Sequence, residues 1–351
     1  MFRLFTSSGR RHSAIRRNVL PFLAGGIPSG WLIRQRPPVV IHPFYHTVSD
    51  EYLPHIHPLY RPLGRRAFEW DLDFLSRRFE AVTAGEVYRS PDNPGSRTRH
   101  AFHLSFDDGL RGVYENALPL LLRKGIPATI FINSDFTDNR QLFYRHKTAL
   151  LTDKLDRTSE AVQNEAKNRI RRALQTNVRS LRAAIHALPH FRQDLLDELA
   201  CLLEVDFGEY LKTRRPYLAT DELREMQRKG FTIGAHSINH LPFPLLDGKE
   251  QLRQTLESCA FVRDTFREPV AYFSFPFSEN GIPASFFDAI AGKVDLCFGT
   301  SGINSRYGGR LLGRIDMEQN GRNAREAIHK AFLRTQRLSR FCIFGKQSPC
   351  A

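Results

Sequence analysis

The sequence contains no uninterrupted apolar run approaching the about eighteen residues that a membrane-crossing helix needs, so no segment reads as a span. Cysteine is scarce: the five in 351 residues stand at 201, 259, 297, 342 and 350, odd in number and without a C-x-x-C pair. That argues against a disulfide framework or a thiolate zinc site, and mildly for a reducing compartment. Acidic residues are missing from both ends, with none in residues 1–37 and only Glu326 in residues 322–346. No internal repeat or low-complexity tract is visible.

What is present is basic overall. Lys and Arg number 51 against 37 Asp and Glu, a net charge of +14, which first suggests a polyanion or membrane-surface binder. Its distribution argues otherwise. Residues 1–37 hold seven arginines (+7) and residues 322–346 seven basic residues and one acid (+6), leaving 14 − 13 = +1 for residues 38–321. The charge belongs to two appendages, and nucleic acid is disfavoured as a partner. The chain thus divides into a basic arm 1–37, an α/β domain 38–321, and a basic helix and tail 322–351.

The arm is followed by the apolar stretch 19–33, which Pro21, Pro28 and three glycines interrupt, and no small-residue cleavage triplet comes after it. The expected location is cytoplasmic or peripherally membrane-associated, with Phe22, Trp31 and the arginines suited to peripheral contact with a membrane interface. Export stays open.

Between the ends, short β-branched or aromatic runs alternate with helical periodicity. Strands are expected at 39–44, 101–106, 128–133, 232–236, 271–275, 296–299 and 311–315. Helices are expected at 67–79, 113–124, 220–229, 249–266, 284–291 and 324–338, with Gly125 and Gly230 as C-terminal caps. The pattern predicts an α/β fold, a barrel or partial barrel of about seven strands whose chemistry gathers at strand C-termini. Residues 138–215 break the rhythm: apolar residues recur at helical spacing from Ile170 to Leu188, and no strand is evident. This segment reads as a helical insertion of two to four helices, a buttress by default.

Three strand ends carry chemistry. Asp107 and Asp108 close one strand, with Gly109 to turn the chain. His236 and His240 come after another strand, four apart. Ser274-Phe-Pro-Phe277 ends a third. Two imidazoles and a carboxylate on neighbouring strand ends can hold a divalent ion and leave positions for water and substrate. A second carboxylate beside them is free to take a proton.

In this order, the stretches resemble the polysaccharide deacetylase family (the NodB-homology domain, carbohydrate esterase family 4). SFDDG at 105–109 is similar to its first motif, HSINH at 236–240 to its second, and SFPF at 274–277 stands where its R-x-P-Y belongs. The opening VVIHPFYHTVS at 39–49 resembles the family's first strand. The likeness covers about 38–137 and 216–320, with the helical segment as an insert. It implies a distorted, incomplete (β/α) barrel and metal-dependent removal of acetyl groups from an acetylated carbohydrate by a hydrolase of non-peptide C–N bonds. It assigns Asp107 as general base, Asp108, His236 and His240 as metal ligands, Ser237 as a structural hydroxyl and the Phe277 main-chain N–H as an oxyanion donor. Zinc is the default ion for such ligands, and other divalent transition metals fit them.

Three departures accompany the likeness. The third-motif arginine, which in the family pairs with the base, is Ser274 here. The later Asp-x-x-Asp-Trp motif is absent, and so is the C-terminal Leu-x-His that supplies the general acid. Arg314, at a neighbouring strand end, is the candidate to replace the arginine. His46, at the end of the first strand, is the candidate acid, with His42 in reserve. A catalytically impaired protein that binds a saccharide or a partner is the alternative.

Overall fold

The structure is a computed structural model that describes residue 33 and residues 37–89, 98–318 and 323–344, with side chains as far as 335 in the last stretch. The chain divides after Pro37, and the unit Pro38–Ala351 holds both sheets. The expectations for the arm, membrane contact included, and for the tail past 344 lie outside the described residues.

All the expected strand runs form. The first is interrupted, as β1 (Val40–Ile41) and β2 (Pro43–Tyr45). Helix α1 (Arg65–Ser76), β3 (Glu80–Ala81) and α2 (Ala84–Arg89) lead to the second, likewise divided into β4 (Ala101–Phe102) and β5 (Leu104–Phe106). A π-helical turn (Val113–Ala117) opens α3 (Leu118–Lys124), which Gly125 ends in the left-handed conformation expected of a cap, before β6 (Ala128–Ile132). All five residues of β6 are buried, as a strand covered on both faces requires.

The segment after β6 forms five α-helices rather than two to four: α4 (Tyr144–Lys154), α5 (Glu160–Leu174), α6 (Leu181–His186), α7 (Gln193–Leu202) and α8 (Phe207–Arg214). Periodicity undercounts them because α6 and α8, at six and eight residues, fall short of the window of about 11–18 residues over which a helical repeat stands out. Ser159, Ser180 and Asp206 mark three of the starts, each side chain accepting a backbone N–H of the first turn. Ile170, Leu181, Ile185, Leu195 and Leu199 form a core continuous with Leu110, Phe136 and Tyr217. The insertion is therefore packed onto the strand C-terminal end of the barrel.

The chain then continues through α9 (Thr220–Arg228), β7 (Thr232–Ala235), α10 (Gly248–Phe266), β8 (Tyr272–Ser274), α11 (Ala284–Ile290) and β9 (Leu296–Gly299). Last come β10 (Ser305–Arg306), β11 (Leu311–Gly313), β12 (Ile315–Asp316) and α12 (Ala324–Phe344). Ile328 and Phe332 of α12 are buried, and the Ala324 N–H donates to the buried Asp71 carboxylate at 2.7 Å.

Strands β1, β4 and β3 make a small sheet, and the main sheet runs β10-β11-β9-β8-β7-β6-β5-β2-β12. Its pairs are parallel except β10 with β11. β11 and β12 stand near opposite ends of that order, yet only Arg314 separates them in the chain. β11 pairs with β9 and β12 with β2, so twist curls the sheet until one split strand touches both flanks. The result is a distorted, incompletely closed (β/α) barrel, as the sequence predicts. Arg314 sits at the break.

Candidate active site

Asp107 and Asp108 leave β5 on a turn that demands left-handed backbone, with φ of 68° at Asp108 and 60° at Gly109. A Cβ on Gly109 would meet Ile132 Cγ2 at 3.0 Å, so glycine is favoured both by the left-handed conformation and by the crowding a side chain would bring. His236 comes directly after β7, and the loop beyond it is pinned by Ser237, whose Oγ accepts the His240 N–H at 3.0 Å. Asn133 at the end of β6 donates to the His236 carbonyl. Ser237, His240 and Phe277 also take positive φ (69°, 54° and 59°), a concentration of uncommon backbone at one end of the barrel.

These loops bring Asp108, His236 and His240 together. His240 Nε2 lies 3.2 Å and His236 Nε2 3.4 Å from Asp108 Oδ1. One ligand atom from each residue falls within 4.8 Å of the others, and all three residues are buried. Asp108 Oδ1 nevertheless has no hydrogen-bond partner. An orphaned buried carboxylate oxygen faced by two imidazole nitrogens is what a divalent cation would satisfy, so the donor set fits a metal. His236 Nδ1 lies 2.9 Å from the Ser274 carbonyl, a partner that fixes the ring and leaves Nε2 for the ion. Burial lowers the His236 pKa to about 4, which keeps the imidazole neutral, the form that ligates.

Beside this cluster, Asp107 is held in a bidentate ion pair with Arg314, Nη1 to Oδ1 and Nη2 to Oδ2, both 2.7 Å. Arg314 is fully buried and every one of its N–H groups is used. Nε donates to the Gly299 carbonyl at 3.1 Å, Nη1 also to Ser105 Oγ at 3.2 Å, and Nη2 also to Ser274 Oγ at 2.6 Å. The Phe44 ring covers the guanidinium at 4.2 Å. Burial on its own would raise the Asp107 pKa, but the Arg314 charge and its hydrogen bonds, with His236 and His46, together outweigh it and hold the carboxyl below its ordinary value. Ser274, standing where the family motif has arginine, is thus a hydrogen-bond acceptor for an arginine arriving from another strand.

His46 lines the same cavity, of about 560 Å³, with Asp107, Asp108, His236 and His240. Its Nδ1 is bonded to the Glu318 carboxylate, which also accepts the His46 backbone N–H at 2.9 Å. Burial disfavours charge on this ring, but Glu318 more than compensates and lifts the imidazolium pKa to about 10. Phe277 is partly exposed on the cavity wall, its ring 4.8 Å from that of His240. The reserve histidine, His42, is not on the wall; it is buried with its ring 5.7 Å from His103 and 5.8 Å from Phe298.

Several residues on the wall, or behind it in the case of Glu318, carry no distinguishing signal in the sequence. Glu318 lies just past a strand end and is marked there only by being an acid. Phe143, Arg145, His146 and His186 come from the insertion, making it part of the cavity rather than only a buttress. The Phe143 ring stands 4.6 Å from that of His240. Helical periodicity marks buried positions and gives no hint of which polar residues face a neighbouring site.

A curled parallel sheet with a carboxylate-histidine centre at its strand C-termini, and an ionised carboxylate beside it, defines a metal-dependent hydrolase of acyl amides or esters. More narrowly, the chain belongs to the polysaccharide deacetylase family, whose model matches residues 95–289. Among solved structures it is similar to the Streptococcus pyogenes deacetylase PplD in complex with acetate, at 13% identity over 85% of this chain and 99% of that one, TM-score 0.53. It is similar also to IcaB from Ammonifex degensii, at 14% identity over 84% of this chain and 99% of that one, TM-score 0.52. At such identities the likeness is one of fold. No curated protein matches the chain.

Proposed function

We propose that this protein removes acetyl groups from an acetylated amino-sugar polysaccharide or glycoconjugate, with Zn²⁺ as its ion. The observation that carries the reading is the Asp107–Arg314 pair beside the Asp108, His236 and His240 cluster. It returns to the base the positive partner that Ser274 removed from the motif. Asp108, His236 and His240 hold the ion, which when bound supplies Lewis acidity to the acyl carbonyl and to a water.

Asp107, kept ionised by Arg314, takes the proton of the attacking water as that oxygen bonds to the acetyl carbon. The Phe277 main-chain N–H donates to the oxygen that becomes negative. As the C–N bond breaks, the amine nitrogen takes a proton from His46, which Glu318 keeps protonated at neutral pH. A carboxyl held low and an imidazole held high are the two protonation states that base and acid work demands.

The test is acetate release from N-acetylated and O-acetylated amino-sugar oligomers by zinc-loaded protein, with metal content measured in parallel. Removing the base in Asp107→Asn should reduce turnover by about 10²–10⁴. Stoichiometric metal with no acetate from any such oligomer would overturn the reading and favour a saccharide-binding protein without turnover.

A further inference from the structure

The wall that the insertion lends to the cavity carries a cation without a counter-charge. Arg145, in the first turn of α4, lines the cavity and is half-buried. Its Nη1 donates to the His186 main-chain carbonyl, and its guanidinium lies 5.4 Å from the Tyr144 ring centre. Both partners orient the group without cancelling its charge. No carboxylate pairs with Arg145 among the described residues, whereas Lys147, two residues on, pairs with Asp197 at 3.1 Å.

Of the carboxylates that share the cavity, Asp107 is paired with Arg314 and Asp108 faces the two histidines, while Asp316 accepts the neutral Glu318 main-chain N–H at 2.9 Å and forms no ion pair with Arg145. The neighbouring histidines cannot offset a cation in either protonation state, and burial lowers the pKa of both His146 and His186, so they are neutral and add no repulsion. A partly desolvated guanidinium at the edge of a substrate-sized cavity, held by two neutral groups, has open donors and no counter-ion.

We propose that Arg145 is a specificity residue that binds an anionic substituent, carboxylate or phosphate, carried by the sugar whose acetyl group lies at Asp107. This rests on the carbohydrate reading of the site and adds the charge of the substrate to it. The insertion then has a role in recognition: α4 supplies the cation, and Phe143 one residue before it supplies an apolar surface against His240.

The experiment is titration calorimetry of zinc-loaded protein with three probes: a neutral N-acetylglucosamine trisaccharide, the same with one 6-O-phosphate, and the same with one 3-O-lactyl carboxylate. At least one charged probe should bind about ten- to a hundred-fold more tightly than the neutral one, the factor a charge-assisted hydrogen bond supplies. Which of the two is preferred identifies the anion. Arg145→Met should abolish the preference, Arg145→Lys should keep part of it, and rising salt should shrink it. Thermal melting of each variant checks that it is folded. Equal binding of the three probes, or a preference that survives in Arg145→Met, overturns the proposal and leaves the carbohydrate reading standing. No binding of any probe overturns both. A charge preference without acetate release sinks deacetylation alone.

Discussion

Replacing Arg314 by methionine tests the site and the fold at once. The side chain is fully buried and donates to Gly299, Ser105, Ser274 and both oxygens of Asp107. Methionine fills much of the space but leaves the Asp107 carboxylate buried without a cation. Breaking one side of such a pair costs about 3–5 kcal/mol, a fall in melting temperature on the order of 5–10 °C. The pH dependence gives a sharper signature. In the native protein Asp107 is held below its ordinary value, so its ionisation contributes stability above the unfolded carboxylate pKa, lost as pH falls through the lowered folded value. In Arg314→Met, burial is opposed only by the weaker attraction of His236 and His46, and the folded pKa is expected to rise above the unfolded one. The variant's deficit must therefore be larger at pH 8 than at pH 4, and the acid limb of kcat/KM must move up by about one unit or more. Arg314→Lys keeps the charge but not the fork and should fall between. Urea unfolding at the two pH values and acetate release from pH 4 to 9 are the assays. A methionine variant with native melting and an unmoved acid limb would refute the reasoning.

The same geometry sets three further outcomes. Asp108→Ala should lose its bound ion by elemental analysis, and with it the thermal stabilisation given by added zinc, about 4 kcal/mol at a thousand-fold excess over Kd. Glu318→Gln removes the charge that lifts His46 to about 10; because imidazolium is lost as pH rises through the folded pKa, the alkaline limb of turnover should move to lower pH, with NMR titration of His46 moving alongside. Gly109→Ala places a Cβ 3.0 Å from Ile132 at a φ of 60° and should cost about 1–3 kcal/mol in chemical denaturation while weakening zinc affinity through Asp108.

The residues legible in the sequence share one property: their chemistry is local. Asp107 and Asp108 are adjacent, His236 and His240 are four apart, and each pair comes directly after a strand whose hydrophobic run announces its end. The seven strand runs are legible for the same reason, since a buried strand such as β6 is apolar except for the β-branched Thr129. Arg314 is readable as a charge at the right kind of place, although its pairing with Asp107 spans 207 positions and belongs to the closure of the sheet. Glu318, Phe143 and Arg145 are not readable. Their relevance depends on how a loop and an insertion pack onto the barrel, which periodicity does not encode. The two short helices of the insertion are hidden for a different reason, their length.

The split strand at Arg314 has a consequence for a chain still being made. Asp107, Asp108, His236 and His240 are all synthesised well before residue 314, so a chain stopped at β9 already possesses every metal donor. It lacks the cation for Asp107 and the segment that joins β9 to β2. Such a chain has a ligand set but an open sheet and an uncompensated acid in its interior. Ordering of the site must therefore wait for the last strand, and a nonsense truncation after residue 300 should yield protein that is recognised as unfinished even though its ligand-bearing motifs are intact.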